Sequence, residues 1–257
     1  MSHASPLLAL IFDQDGVIID TERDGHRVAF NRAFAEFDIP LRWNVEEYGV
    51  LARIGGGKER MRRSFAGVGL FSDLREDELD ARIRAIHARK TELMVEILRS
   101  GSLPLRPGVH RLMAEARDAG MRLAICTTSN EENTRAIVDT LLPDIPFDAI
   151  LAGDVVSRKK PDPEIYRLAL ERLGLDAAQA LVIEDSRTGV QAARSAGLRV
   201  VATVTDYTRE EDLEGADPVL SSLGNRQRGA RVMSSKRPFA PGSVVRLADL
   251  MDYVVQS

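Results

Sequence analysis

The apolar positions change rhythm twice along the chain. Leu7–Phe12 is an unbroken apolar run that stops at Asp13-Gln14-Asp15-Gly16, the pattern of a short strand buried on both faces. From about Asp24 to Ser100 the spacing turns helical, with Val28, Ala29, Ala33, Phe34 and Phe37, then Leu79, Ile83, Ile86, Leu93, Ile97 and Leu98. That block closes at Gly101-Ser102-Leu103-Pro104-Leu105-Arg106-Pro107-Gly108, whose prolines and glycines suit a hinge. Helices and strands then alternate: helix 109–119, strand 121–126, helix 131–141, strand 149–152, helix 164–173, strand 180–183, helix 188–196 and strand 199–203. Such alternation with short connections predicts an α/β fold, a parallel sheet between two layers of helices. The strand at 7–12 joins that sheet. Residues 1–22 and 102–257 are therefore expected to form the core, and 23–101 an inserted α-helical cap. Asp206–Asp217, with six acids against Arg209, and Gly224–Arg246, with six bases and no acid, read as solvated loops. Asp249–Val255 suits either a final helix or an edge strand.

Composition narrows the class. The 257 residues are 44% hydrophobic and 29% charged, enough to bury a core, and the net charge of −4 without a dominant basic block argues against nucleic acid as partner. No apolar run approaches the ~20 residues of a membrane span. Met1–Pro6 lacks the basic and apolar regions of a signal peptide. Cys126 is the single cysteine, which excludes an intrachain disulfide and a cysteine-based zinc site. A cytoplasmic monomer acting on a small molecule, away from membranes, is the expectation.

In an open parallel sheet, ligands bind beyond the carboxyl ends of the strands. There the sequence places Asp13 and Asp15, then Thr127, then Lys160 within a few residues of a strand, then Glu184-Asp185. Carboxylates as close as Asp13, Asp15 and Asp185 cannot all ionise without a cation, and Mg²⁺ is the hard ion that takes a few carboxylates together with water and phosphate oxygens. With Lys160 and Thr127 facing the ion, the cavity suits a phosphoryl group. Asp13 is the candidate nucleophile, forming an aspartyl-phosphate, and Asp15 the candidate general acid and then base. A calcium loop is excluded, because it requires glycine where Ile18 stands and glutamate where Asp24 stands. Taken singly, Glu184-Asp185 suits a helix cap and Lys159-Lys160 a solvated pair.

Together these residues resemble the haloacid dehalogenase superfamily of phosphohydrolases over about residues 7 to 212. Phe12-Asp13-Gln14-Asp15-Gly16-Val17 is similar to its first motif, Thr127 within Cys126–Asn130 to its second, Lys160-Pro161-Asp162-Pro163 to its third and Val182–Ser186 to its fourth. The resemblance implies a Rossmann-like three-layer core, Asp13 as nucleophile, and Asp15 as acid/base. It also implies Mg²⁺ held by Asp13, the Asp15 backbone carbonyl and Asp185 with Glu184 close behind, and Thr127 and Lys160 on the phosphoryl. The helical insertion resembles the cap of phosphoglycolate phosphatases and β-phosphoglucomutases. Asp20–Arg27, Ile54–Met61, Lys90–Leu93 and Cys126–Glu131 are most similar to the CbbY-type branch, whose members resemble xylulose-1,5-bisphosphate phosphatases that remove an inhibitory by-product of Rubisco in the Calvin cycle.

The cap suits a bisphosphate on physical grounds as well. A second phosphate needs its own cations, and Lys58, Arg60 and Lys90 are candidates. Gly55–Gly57 is not a P-loop, since Ala52 and Glu59 break that pattern, but Gly56 and Gly57 allow backbone amides to approach a sugar or phosphate. Glu22 and His26 suit either sugar hydroxyls or the orientation of Asp15, and Thr128, Ser129 and Asn130 suit polar contacts to substrate. Thr21–His26 is one residue longer than in the mutases. Trp43, Phe34, Phe37 and Tyr48 are expected to pack the cap. Three rivals stand beside the bisphosphatase: a mutase that returns the phosphoryl to its sugar, a phosphoglycolate phosphatase, and a binding module that has lost catalysis.

Overall fold

The computed structural model describes residues 6–54 and 57–255; Gly55 and Gly56, part of the expected substrate loop, lie outside the described residues. The first apolar run forms β1 (Ala9–Phe12), every residue of which is buried. It sits at the middle of a seven-stranded sheet of order β3-β2-β1-β4-β5-β6-β7, comprising also β2 (Arg122–Cys126), β3 (Ala149–Leu151), β4 (Ala180–Glu184), β5 (Arg199–Thr203), β6 (Val219–Leu220) and β7 (Val232–Ser234). All neighbours pair in parallel except β6 with β7. Phe12 lies level with Ile125 and Ile183, so the chain leaves β1, β2 and β4 at one rim.

Alternation along the strands divides the core. Ala9 and Ile11, with Ala124, Cys126, Val182 and Val200, pack against Ile165, Tyr166 and Ala169 of α7 (Glu164–Leu173) and Val190 and Ala193 of α8 (Arg187–Ser195). Leu10, Phe12, Leu123, Ile125, Leu181 and Ile183, all buried, point the other way, and α5 (Val109–Asp118) packs on β1, β2 and α9 (Leu247–Val255). The remaining core helix is α6 (Glu131–Leu141). Residues 249–255 are thus helix. The expected loop Gly224–Arg246 is corrected in part: it contributes β7, buries Val245, and lays Arg237 over the Tyr253 ring at 4.2 Å. Arg106 ties the strand ends on that side together, donating to the carbonyls of Thr203, Val204 and Ser221.

The chain divides into two compact units, residues 1–20 with 104–257 and residues 21–103. The second is helical: α1 (Arg27–Glu36), α2 (Val45–Ala52), α3 (Gly57–Gly67) and α4 (Glu76–Arg99). Its centre is aromatic, with Phe34 edge-on to Trp43 at 4.8 Å and Phe30 at 4.9 Å from the same ring. Asn44 and Glu47 cap α2 reciprocally. The unit opens with a wide π-type turn over Thr21–His26, which leads directly into α1. Among the described residues, no helix is long and apolar enough to cross a membrane.

Candidate active site

At the rim where β1 and β4 end, three buried carboxylates, Asp13, Glu184 and Asp185, offer ligand atoms within 4.8 Å of one another. Lys160 comes from the loop before α7, and its side chain is only 6% exposed. Its ammonium donates to Asp13 Oδ1 at 2.6 Å, Glu184 Oε1 at 2.7 Å and the Cys126 carbonyl at 2.9 Å. Burial opposes that charge, but Asp13 and Glu184 outweigh it and hold the Lys160 pKa well above its ordinary value.

The three acids are not equivalent. Glu184 accepts from Lys160, the Tyr166 hydroxyl at 2.8 Å, the amides of Asp185 and Ser186, and the Ser186 hydroxyl. These donors overcome its burial and keep its pKa low. Asp13 Oδ2 and both oxygens of Asp185 accept no such bond among the described residues. Burial, with Glu184 and Asp15 close by, pushes the Asp13 carboxyl up to about 7 against the pull of Lys160. Burial, with Glu184 and Asp13, pushes Asp185 well up too. A cluster with one ammonium and two under-satisfied buried carboxylates is short of positive charge, and a hard divalent cation fits it. Glu184 lies behind that pair with its oxygens already occupied, anchoring Lys160.

Asp15 is reached by Ser129 and Thr127. The Ser129 hydroxyl donates to Asp15 Oδ2, and the Thr127 hydroxyl lies 3.5 Å from the same oxygen while accepting from the Ser129 amide. Gly16 makes the turn possible. Its φ is +89°, and a Cβ there would stand 2.0 Å from Asp185 Oδ2. Thr128 is exposed, and Asn130 spends its side-chain oxygen capping α6. Ser186, rather than Glu184 or Asp185, caps α8.

The helical unit gathers a separate polar group. Tyr48 donates to Glu22 Oε2 at 2.6 Å and accepts from Arg60 at 2.7 Å; Arg60 also reaches Glu22 and the carbonyls of Ala52 and Ile54. Arg60 thereby braces the corner between α2 and α3. Lys90, 8% exposed, lies 3.0 Å from His26 Nδ1 and 4.7 Å above the Phe30 ring. Burial, with Arg60 nearby and despite Glu22, lowers its pKa to about 8. Lys58 is exposed and has no ion-pair partner among the described residues.

Sequence reasoning missed two hydroxyls. Tyr166 carries a helix's apolar spacing and Tyr48 was expected only to pack, yet one bonds Glu184 and the other links Glu22 to Arg60. Their ring packing hid them, and the one available signal is that a buried tyrosine hydroxyl demands a partner.

The family model for haloacid dehalogenase-like hydrolase matches residues 7–197. A CBBY-like protein of Arabidopsis thaliana is 46% identical over 221 residues, covering 84% of this chain and 69% of its own length. Protein CbbY of Rhodobacter capsulatus is 44% identical, with 82% of this chain and 91% of that protein covered. The crystal structure of a mutant CbbY from Rhodobacter sphaeroides in complex with xylulose-(1,5)bisphosphate is similar at a TM-score of 0.64 and 40% identity, over 86% of this chain and 98% of that one.

Proposed function

This chain belongs to the haloacid dehalogenase-like hydrolases and is a phosphatase of the CbbY type; on that premise we propose that it hydrolyses xylulose 1,5-bisphosphate to xylulose 5-phosphate and phosphate through an aspartyl-phosphate on Asp13. The carrying observation is that the chain holds two separate sets of groups suited to phosphate. One is the rim cluster around Asp13 and Lys160; the other is the cation set of the helical unit, where Lys58 has no ion-pair partner among the described residues. A monophosphate needs only the first. The binding of xylulose bisphosphate by the 40% identical relative supports the same substrate.

Asp13 attacks phosphorus through the oxygen that Lys160 does not engage, while the ester P–O bond breaks and Asp15 delivers its proton to the departing sugar oxygen. Asp15 then takes a proton from the water that attacks the aspartyl-phosphate, and phosphate leaves as the Asp13 carboxylate is restored. Lys160 and the Thr127 hydroxyl hold the phosphoryl oxygens, and Ser129 fixes the Asp15 carboxyl. Asp13 and Asp185, with the Asp15 carbonyl, would hold Mg²⁺. When bound, the ion offsets the carboxylate charge and polarises a phosphoryl oxygen.

Phosphate release in Mg²⁺ from xylulose 1,5-bisphosphate, ribulose 1,5-bisphosphate, fructose 1,6-bisphosphate, phosphoglycolate and β-glucose 1-phosphate tests the reading, with Asp13→Asn as blank. A kcat/KM for the xylulose compound ~100-fold above the rest is the expected result. A flat profile or a preference for phosphoglycolate overturns the bisphosphate assignment and leaves the core chemistry intact.

A further inference from the structure

We propose that His87 is a further ligand of the phosphate bound by the helical unit, taking up a proton from solvent as the dianion arrives. The inference rests on the bisphosphate reading above and adds to it a residue and a proton. His87 lies on α4, one turn before Lys90. Its ring covers the start of α3: a Cβ on Gly57 would stand 2.8 Å from His87 Nε2 and 3.1 Å from Phe30 Cζ. Glycine at 57 therefore lets the Nε2–Cδ2 edge of the imidazole approach the start of α3 closely, next in sequence to Lys58. Neither ring nitrogen has a hydrogen-bond partner among the described residues. The imidazole is half-buried, has Lys58 and Lys90 as its cationic neighbours, and keeps both ring nitrogens free of protein partners among the described residues, so either can meet an incoming oxygen.

The charged groups that face it are few. Lys90 stands on its own helix, Lys58 and Glu59 come from α3, and the Phe30 ring of α1 closes the apolar side. Burial, then Lys90 and Lys58, hold the imidazole below its ordinary pKa of 6.5, against a weaker opposing pull from Glu59. The ring is consequently neutral at pH 7 in the free protein. A phosphate dianion among Lys58, Lys90 and His87 reverses the local sign of charge. The ring nitrogen that was unprotonated then binds a proton from the buffer and donates it in a charge-assisted hydrogen bond to a phosphate oxygen. Lys90, with a pKa of about 8, is already mostly charged at pH 7 and contributes little uptake.

Titration calorimetry at pH 7.0, in two buffers of different ionisation enthalpy, reads the proton directly. The protein is the full chain with Asp13→Asn, loaded with Mg²⁺, and the probes are xylulose 1,5-bisphosphate and phosphoglycolate. The Asp13→Asn protein is expected to take up ~0.5 proton or more per bisphosphate. With His87→Gln added, uptake falls to ~0.1 proton and affinity by ~10-fold. His87→Lys, mostly charged at pH 7 already, is expected to keep affinity within ~3-fold and lose most of the uptake, a rescue that a merely space-filling ring would not show. His87→Asn serves if the glutamine variant melts early. Unchanged affinity and proton number in His87→Gln overturn the assignment, as do equal affinity losses in the glutamine and lysine variants; both leave the bisphosphate reading standing. Bisphosphate binding no tighter than phosphoglycolate overturns that reading and this inference with it.

Discussion

The two polar clusters are charged in opposite senses. In the core unit, three buried acids surround one ammonium, and Asp13 and Asp185 keep oxygens that no donor satisfies among the described residues. In the helical unit the unsatisfied groups are basic: among the described residues Lys58 and the His87 ring lack partners, and Lys90 lies beside His26 and the face of Phe30, with Glu22 near it but hydrogen-bonded to Tyr48 and Arg60. One region is short of a cation and the other of an anion. On the proposed function the difference assigns the roles: an acid-rich pocket is suited to a metal and to phosphoryl transfer, whereas a base-rich one is suited to the part of the substrate that does not react.

Breaking the core should abolish turnover for every substrate. Asp13→Asn is expected to lower kcat by ~10⁴-fold or more, with bisphosphate binding retained by calorimetry. Gly16→Ala comes next, since a methyl 2.0 Å from Asp185 Oδ2 displaces that carboxylate; a kcat loss of ~10²-fold and weaker Mg²⁺ binding by titration should follow. Ser129→Ala removes the hydroxyl that fixes Asp15, and a ~10-fold fall in kcat with little change in KM is expected from steady-state rates.

The pH dependence sharpens the contrast from the other side. Lys90 is charged below about pH 8, so kcat/KM for a bisphosphate should fall above that pH by up to ~10-fold per unit, while that for a small monophosphate should not follow. Its folded pKa is depressed from 10.5, so the unfolded chain binds more protons between about 8 and 10.5. The contribution of Lys90 to stability accordingly rises with pH across that window, which denaturant melts of the wild type and Lys90→Met can compare.

The core site was the more legible region, for a physical reason. Strands buried on both faces are written as unbroken apolar runs, and their abrupt ends expose Asp13, Thr127 and Glu184-Asp185 to inspection. The edge of the sheet offered no such signal, because β6 and β7 span only two and three residues and β7 is exposed throughout. In the helical unit, Lys58, Arg60 and Lys90 could be named as cations, but which of them the fold consumes could not. Arg60 is committed to two backbone carbonyls, Tyr48 and Glu22, a set of partners up to 38 residues distant. Local spacing does not encode such contacts. The same holds for His87 over Gly57, whose approach across 30 residues no local pattern in α4 announces.

The division of labour is tested most directly by Lys58→Ala, assayed for phosphate release from xylulose 1,5-bisphosphate and from a small monophosphate under the same conditions. The account predicts a ~100-fold loss of kcat/KM (~2.7 kcal/mol) for the bisphosphate and less than ~3-fold for the monophosphate. Equal losses for the two substrates would contradict it.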